Sequence, residues 1–458
     1  MASAGAANRN GNTGNNGGPN DTRVPFLAGN NNASNLFSKL NAEHRAGAGG
    51  LGILGFLTAA NASALAQTSK RGAQVVREFE WADNTRITGK LADWHSRFPN
   101  ATTANLTGRA DLVDSDFIYL RGIKKLNISG CTGITDLAFE QIRGIEELCM
   151  SDLPQITDAA ISNLEGIQIL NMNGCTGITG ATFVSIRGVH DLFISGCTGI
   201  RGENFEHLAG VVHLDMELRH GATRFPDIRD EHFRFLAGIN TLNIAYQARI
   251  TDAAFEHLGS LQILDMNGCS GITGTGFRFL TNITVLSMRG DRGAFDSRNF
   301  RHIAATINIL DISDCIVFSD SAFEHFTNLS ILIMSGCNQR RITDLAFTHL
   351  ANLHILIMVG CNQRTITDVA FSHLANLRIL NMMNCNQQTI TGATFENLVN
   401  IQTITTRGCR PEVIAAAEAL LEARRARQVG GKRKVNKKAN RRSRKARKSR
   451  KNRRTQRR

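Results

Sequence analysis

The sequence predicts an α/β solenoid: strand–turn–helix units stacked side by side, with one parallel sheet on the concave side and helices on the outside. Three observations predict it. An apolar anchor recurs every 20 to 28 residues along most of the chain. Each period opens with the two-residue alternation of a half-buried strand and closes with a helical i, i+3 pair. Nine of the ten cysteines fall at one and the same position of the period.

The anchors are read as Leu106, Leu126, Leu148, Leu170, Leu192, Leu214, Leu242, Leu264, Leu286, Leu310, Leu332, Leu356, Leu380 and Ile404. Anchor and anchor+2 are apolar with a polar or exposed neighbour between them, as in Leu126/Ile128, Leu170/Met172 and Leu332/Met334. Such alternation fits a short strand with one buried face. At anchor+5 stand Cys131, Cys175, Cys197, Cys269, Cys315, Cys337, Cys361, Cys385 and Cys409. A small apolar side chain with a weak S–H donor suits the turn where the chain leaves a strand. Ile-Thr-Asp or Ile-Thr-Gly follows, as at Ile134, Ile250 and Ile366, and the Thr or Asp is placed to cap the next helix. That helix carries Phe and, three residues on, Leu or Ile (Phe255/Leu258, Phe371/Leu374). No unit can bury both its faces alone, so neighbours must stack.

Charge divides the chain. Of 53 Lys and Arg, 20 lie in Arg424–Arg458, which holds no Asp or Glu; the remainder has 33 basic against 39 acidic residues. The body is mildly acidic and the tail strongly basic. Residues 1–45, rich in Asn and Gly, are expected to be disordered, 46–85 to form a small helical module or N-terminal cap, and 86–410 to be the repeats. A helix over 411–428 should cap the last repeat, and 429–458 should be a disordered basic tail. Two basic clusters there read as a nuclear import signal, with the cytoplasm as the alternative location, and the same charge would bind nucleic acid without sequence preference. No run of about 20 apolar residues suggests a membrane span. Leu51–Ala66 has the look of a secretory core and cleavage site, but it follows some fifty polar residues and is read as helical.

Nothing points to catalysis or to a cofactor. No single Ser or Cys stands out from the repeat as a nucleophile, and no CxxC pair or zinc-type Cys/His spacing occurs. The recurrent His207, His257, His325, His349 and His373 read as edge positions of the outer helices, not as metal ligands. The function class left is binding, without an enzymatic role and by a monomer.

The string Leu126-Asn-Ile-Ser-Gly-Cys131-Thr-Gly-Ile134-Thr-Asp136 resembles the cysteine-containing leucine-rich repeat, and the resemblance covers about 87–410. It implies a horseshoe. Many proteins with that repeat are F-box proteins, which dock a ubiquitin ligase through a short helical module. Residues 51–76 are similar to an F-box in Ile53, Leu54, Phe56, Leu57, Leu65, Ala66, Thr68, Lys70 and Arg71. They depart from it in lacking a Leu-Pro opening and in having Ser69 and Gly72 where Cys and Trp are usual. The resemblance implies ligase docking through Ile53, Leu54, Phe56, Leu57 and Leu65 to the linker subunit of an SCF-type ligase. The Asn-rich start and the near-identical late repeats resemble F-box/repeat proteins of large DNA viruses and protists.

A partner would sit on the concave face, where residues at −1, +1 and +3 from the anchor point outward. The earlier repeats offer polar groups there, among them Asp215 and Glu217. The later ones offer Ile331, Ile333, Ile355, Ile357, Val359, Ile379 and Met383, which predict an apolar patch across adjacent strands and hence a protein interface. The 28-residue spacing places an insertion in Glu217–Asp230, read as a surface loop.

Overall fold

A computed structural model describes residues 80–218, 227–290 and 295–426, together with Gln74 and Arg77. The chain divides into two compact units, Met1–Gly49 and Gly50–Arg458, and all the described residues belong to the second. Apart from Gln74, the segment similar to an F-box lies outside the described residues, as do insertion residues 219–226 and the tail from 427.

Fourteen three-residue strands form one sheet: β1 (Thr103–Asn105), β2 (Lys125–Asn127), β3 (Glu147–Cys149), β4 (Ile169–Asn171), β5 (Asp191–Phe193), β6 (His213–Asp215), β7 (Thr241–Asn243), β8 (Ile263–Asp265), β9 (Val285–Ser287), β10 (Ile309–Asp311), β11 (Ile331–Ile333), β12 (Ile355–Ile357), β13 (Ile379–Asn381) and β14 (Thr403–Thr405). Every pairing is parallel and joins sequence neighbours, so the sheet order is the chain order. The anchors are in register: Leu126 pairs with Leu148, Leu148 with Leu170, and the row continues to Ile404. They are buried, as are the anchor+2 residues Ile128, Met172, Met266 and Met334. The middle residue of each strand thus faces the core, and its two neighbours face the other side of the sheet.

The first rung corrects the sequence reading. Ala104, not Leu106, pairs with Leu126. Leu106 occupies the anchor+2 position, and the first spacing is the ordinary repeat length. Both residues are apolar and two apart, so periodicity alone fits either register; the larger side chain drew the assignment to the wrong one.

Most outer helices are short 3₁₀ segments of one or two turns, such as Asp252–His257 and Gly202–Leu208; α-helical turns are few, as at Asp158–Ile161 and Asp344–Phe347. In a 3₁₀ turn side chains at i and i+3 eclipse one another, which suits a Phe-x-x-Leu pair aimed at one core. The phenylalanines form a buried column that includes Phe139, Phe183, Phe205, Phe233, Phe255 and Phe277. Some of its rings touch directly, with Phe255 and Phe277 stacked at 6.4 Å.

Two further ladders tie each unit to the one before it. Each cysteine of the anchor+5 column is buried and donates its thiol to the anchor+2 carbonyl of the preceding rung. Examples are Cys131 to Leu106 O at 3.1 Å, Cys175 to Met150 O at 3.0 Å and Cys361 to Met334 O at 2.9 Å. Where Gln247 takes the cysteine position, its amide Nε2 reaches Met216 O at 2.7 Å and does the same work. Burial pushes up the thiols of Cys131, Cys337, Cys361, Cys385 and Cys409, with Cys337 and Cys385 reaching about 12, so these stay protonated donors.

The second ladder runs along the Ile-Thr-Asp motif. Thr135, Thr157, Thr251 and Thr343 cap their own helices by accepting from the backbone N–H two residues on. The aspartate that begins a helix serves the next unit instead. Asp136 accepts from Thr157 N at 2.8 Å and Thr157 Oγ1 at 2.6 Å, and Asp344 does so from Thr367 N at 2.7 Å and Oγ1 at 2.6 Å.

The stack is closed at both ends. Trp81, Leu91 and Phe98 are buried before β1, with the Trp81 and Phe98 rings edge to face at 5.5 Å. Residues 411–426 form a helix that buries Val413 and Ala417. Arg424 Nη1 donates from this helix to Val399 O at 2.6 Å.

Candidate protein-binding face

The residues flanking each anchor stand in rows across the sheet, because the pairing is in register throughout. Ile331, Ile355 and Ile379 form one row and Ile333 and Ile357 another, on β11, β12 and β13. Val359 and Met383 extend the group beyond the strand ends. All seven are accessible: six are half-buried and Ile379 is 36% exposed. The structure therefore brings the predicted apolar residues together on three adjacent strands. Their partial cover comes from one another, since strands about 4.8 Å apart leave little room between branched side chains.

The middle of the face is polar and more enclosed. Asp215 and Glu217, both half-buried, lie at the end of β6 and just after it. Asp215 Oδ1 accepts from Ser195 Oγ at 2.8 Å and from Glu217 N at 3.1 Å. Asn243, Asp265, Ser287 and Asp311, the outward residues of β7 to β10, are buried. Asp265 is pushed up to about 7, first by burial and further by the charges of Glu217, Asp215 and Asp311, against one hydrogen bond from Asn267 N. Asp311 is raised as well, again by burial, with Ser313 Oγ and N donating to it. The depth of this polar row was not legible: its residue types resemble those of open strands, and enclosure depends on what surrounds them. Phe193, half-buried at the outward position of β5, also escaped the reading. Its register neighbours on β4 and β6 are the polar Asn171 and Asp215.

Among the described residues, one group of three His, Cys or carboxylate donors converges. His190, Asp191 and His213, at the start of β5 and β6, bring their ligand atoms within 4.8 Å of one another. His190 Nδ1 lies 2.6 Å from Asp191 Oδ1, and His213 Nε2 3.8 Å from the same oxygen. His213 is held below the usual histidine range, first by burial and then by His190, with Asp191 opposing. His207, His257, His325, His349 and His373 of the outer helices do not belong to this group. The proposed ligase-docking residues Ile53, Leu54, Phe56, Leu57 and Leu65 lie outside the described residues.

A single parallel sheet of in-register rungs, backed by short helices, defines a leucine-rich-repeat solenoid. Residues 291–409 match the family model for the BspA type leucine rich repeat region, in six copies. No curated protein matches the chain. Among solved structures, the chain is similar to mouse RP105 in complex with MD-1 (TM-score 0.49, 18% identity, 72% of this chain and 60% of that one). It is also similar to a structure of the TLR13–ssRNA13 complex (0.47, 18%, 69% and 51%) and to one of yeast Rad7 and Elc1 (0.44, 16%, 79% and 93%). The chain spans about half the length of the Toll-like receptor chain.

Proposed function

We propose that this chain is a substrate-recognition adaptor that does no chemistry itself. Its concave sheet holds an extended apolar segment of a protein partner, and residues 51–76 couple it to the linker subunit of an SCF-type ubiquitin ligase. The observation that carries the binding half is the in-register row Ile331, Ile355, Ile379 with Ile333 and Ile357 beside it, accessible on three neighbouring strands. Contiguous accessible apolar side chains on a sheet that needs no further cover mark an interface. The coupling half rests on the F-box resemblance of Ile53, Leu54, Phe56, Leu57 and Leu65 and on the cysteine-containing form of the repeat. Ligation itself belongs to the partner enzymes, for which this chain supplies proximity.

Two experiments test the halves separately. Ile333→Asp with Ile357→Asp should abolish partner capture while the circular dichroism spectrum is unchanged; a folded double variant that still captures its partner refutes the binding half. Phe56→Asp with Leu57→Asp should lose the ligase linker from a pull-down with the full chain. If the unaltered chain never recovers that linker, even at low salt, the second reading stands. It is an interaction scaffold without ligase coupling, favoured by the 20 Lys and Arg after residue 423 as a nucleic-acid tether and nuclear import signal.

A further inference from the structure

His190, Asp191 and His213 are not demanded by the repeat. One residue before the anchor, where Asp191 and His213 stand, other units hold Lys125, Glu147, Ile169 and Thr241, and two before it, where His190 stands, they hold Lys124, Glu146, Gln168 and Asn240, so the fold accepts a wide range of side chains at both. Two imidazoles and a carboxylate on adjacent rungs are a property of this place alone among the described residues.

The backbone beneath them is fixed. The N–H groups of His190 and Asp191 both donate to Gln168 O, at 2.8 and 3.0 Å, and those of Val212 and His213 to His190 O, at 3.0 and 3.1 Å. Only side-chain rotation is left to set the donor geometry. The imidazole centroids are 5.4 Å apart and tilted by 60°, so the two rings face a shared space instead of stacking flat. The Asp191 side chain is 10% exposed, and its carboxylate lies between the two histidines.

We propose that these three residues bind a divalent first-row transition ion of the zinc type, through His190 Nδ1, an Asp191 carboxylate oxygen and His213 Nε2. Ligands at about 2.0–2.1 Å from a tetrahedral ion stand about 3.3 Å from one another. The distances of 2.6 and 3.8 Å to Asp191 Oδ1 bracket that value, and each changes by well under 1 Å to meet it. The His190 ring, 51% exposed, is free to make the adjustment. Two nitrogens and one carboxylate suit zinc, cobalt or nickel; a calcium ion takes six to eight oxygens, which this place does not offer. Three protein ligands leave a coordination position open on the accessible face, for water or for a donor from a bound partner.

The test uses the full chain, stripped with EDTA and titrated with CoCl2 at neutral pH. One equivalent should develop the visible d–d bands of four-coordinate Co2+, and ZnCl2 should bleach them. His190→Ala and His213→Ala should each weaken binding by at least about tenfold, with melting temperature in EDTA unchanged. The absence of d–d bands, or bands of the same strength and stoichiometry in the double histidine variant, overturns the proposal. The double variant is informative because both residues are accessible and neither belongs to the core.

Discussion

Asp252 is the most telling place to break the stack. Its carboxylate accepts four hydrogen bonds from the next unit: Thr273 N at 2.8 Å, Thr273 Oγ1 at 2.6 Å, Gly274 N at 2.9 Å and Gly276 N at 2.8 Å. Gly274 and Gly276 are buried, so Asp252→Ala strands two backbone donors that water reaches poorly. A buried donor left without an acceptor costs about 1–3 kcal/mol, and Thr273, half-buried, regains part of its loss from water; we expect about 3 kcal/mol in all. Thr273→Val removes one hydroxyl donor and should cost about 1 kcal/mol. The double variant should lose about 3 and not 4 kcal/mol, because the hydroxyl has nothing to donate to once the carboxylate is gone. Urea unfolding of the four proteins, followed by far-UV circular dichroism, reads these differences as midpoint shifts, about 1 M for Asp252→Ala at a slope of about 3 kcal/mol/M. The effect also has a pH signature. Burial acts against the Asp252 charge, but the hydrogen bonds it accepts, those from Thr273 and Gly276 foremost, outweigh it and hold the carboxyl below the usual range. A lowered folded pKa stabilises the protein above the unfolded value of about 3.9, and that stability is lost as pH falls through the folded pKa. The gap between wild type and Asp252→Ala should therefore be full above about pH 5 and narrow in acid. An Asp252→Ala midpoint within about 0.2 M of wild type would refute the reasoning.

Other outcomes follow from the same architecture. Gly271→Ala should destabilise by about 2 kcal/mol or more in the same urea assay, since a Cβ there would stand 2.6 Å from Ile250 O and 2.9 Å from Ala248 O. A disulfide exchange reagent at pH 8 should find one fast thiol in the native protein, Cys149, and all ten after unfolding. The other nine are buried and out of the reagent's reach, and burial further holds Cys131, Cys337, Cys361, Cys385 and Cys409 as thiols. Deleting residues 430–458 should move a fluorescent fusion from nucleus to cytoplasm, and continued nuclear retention would argue against the import signal.

The repeat was legible in the sequence because each unit writes the same buried requirement. Leu at the anchor, Cys at the turn and Phe on the helix all report burial, and burial depends on residue type. Its inter-unit chemistry was less so. The aspartate of Ile-Thr-Asp looks like a helix cap, yet Asp136 and Asp344 serve Thr157 and Thr367, 21 and 23 residues on. That partnership exists only after stacking. The same reason hid the His190–Asp191–His213 group, whose members are neighbours through strand pairing and not through a spacing motif. The apolar rows at Ile331, Ile355 and Ile379 were visible because identical residues recur one period apart, and in-register pairing turns that recurrence into adjacency.

The thiol-to-carbonyl link from Cys361 to Met334 has a consequence for how such a chain can change length. Its donor and acceptor belong to successive copies of one template, and the same holds for Asp344 with Thr367. A whole copy inserted between them would bring its own thiol, carbonyl, aspartate and threonine, and would leave no bond dangling on either flank. Genetic duplication or loss of single units is thereby made structurally neutral, and the breadth of surface offered to a guest can grow or shrink by recombination without any redesign of the interior.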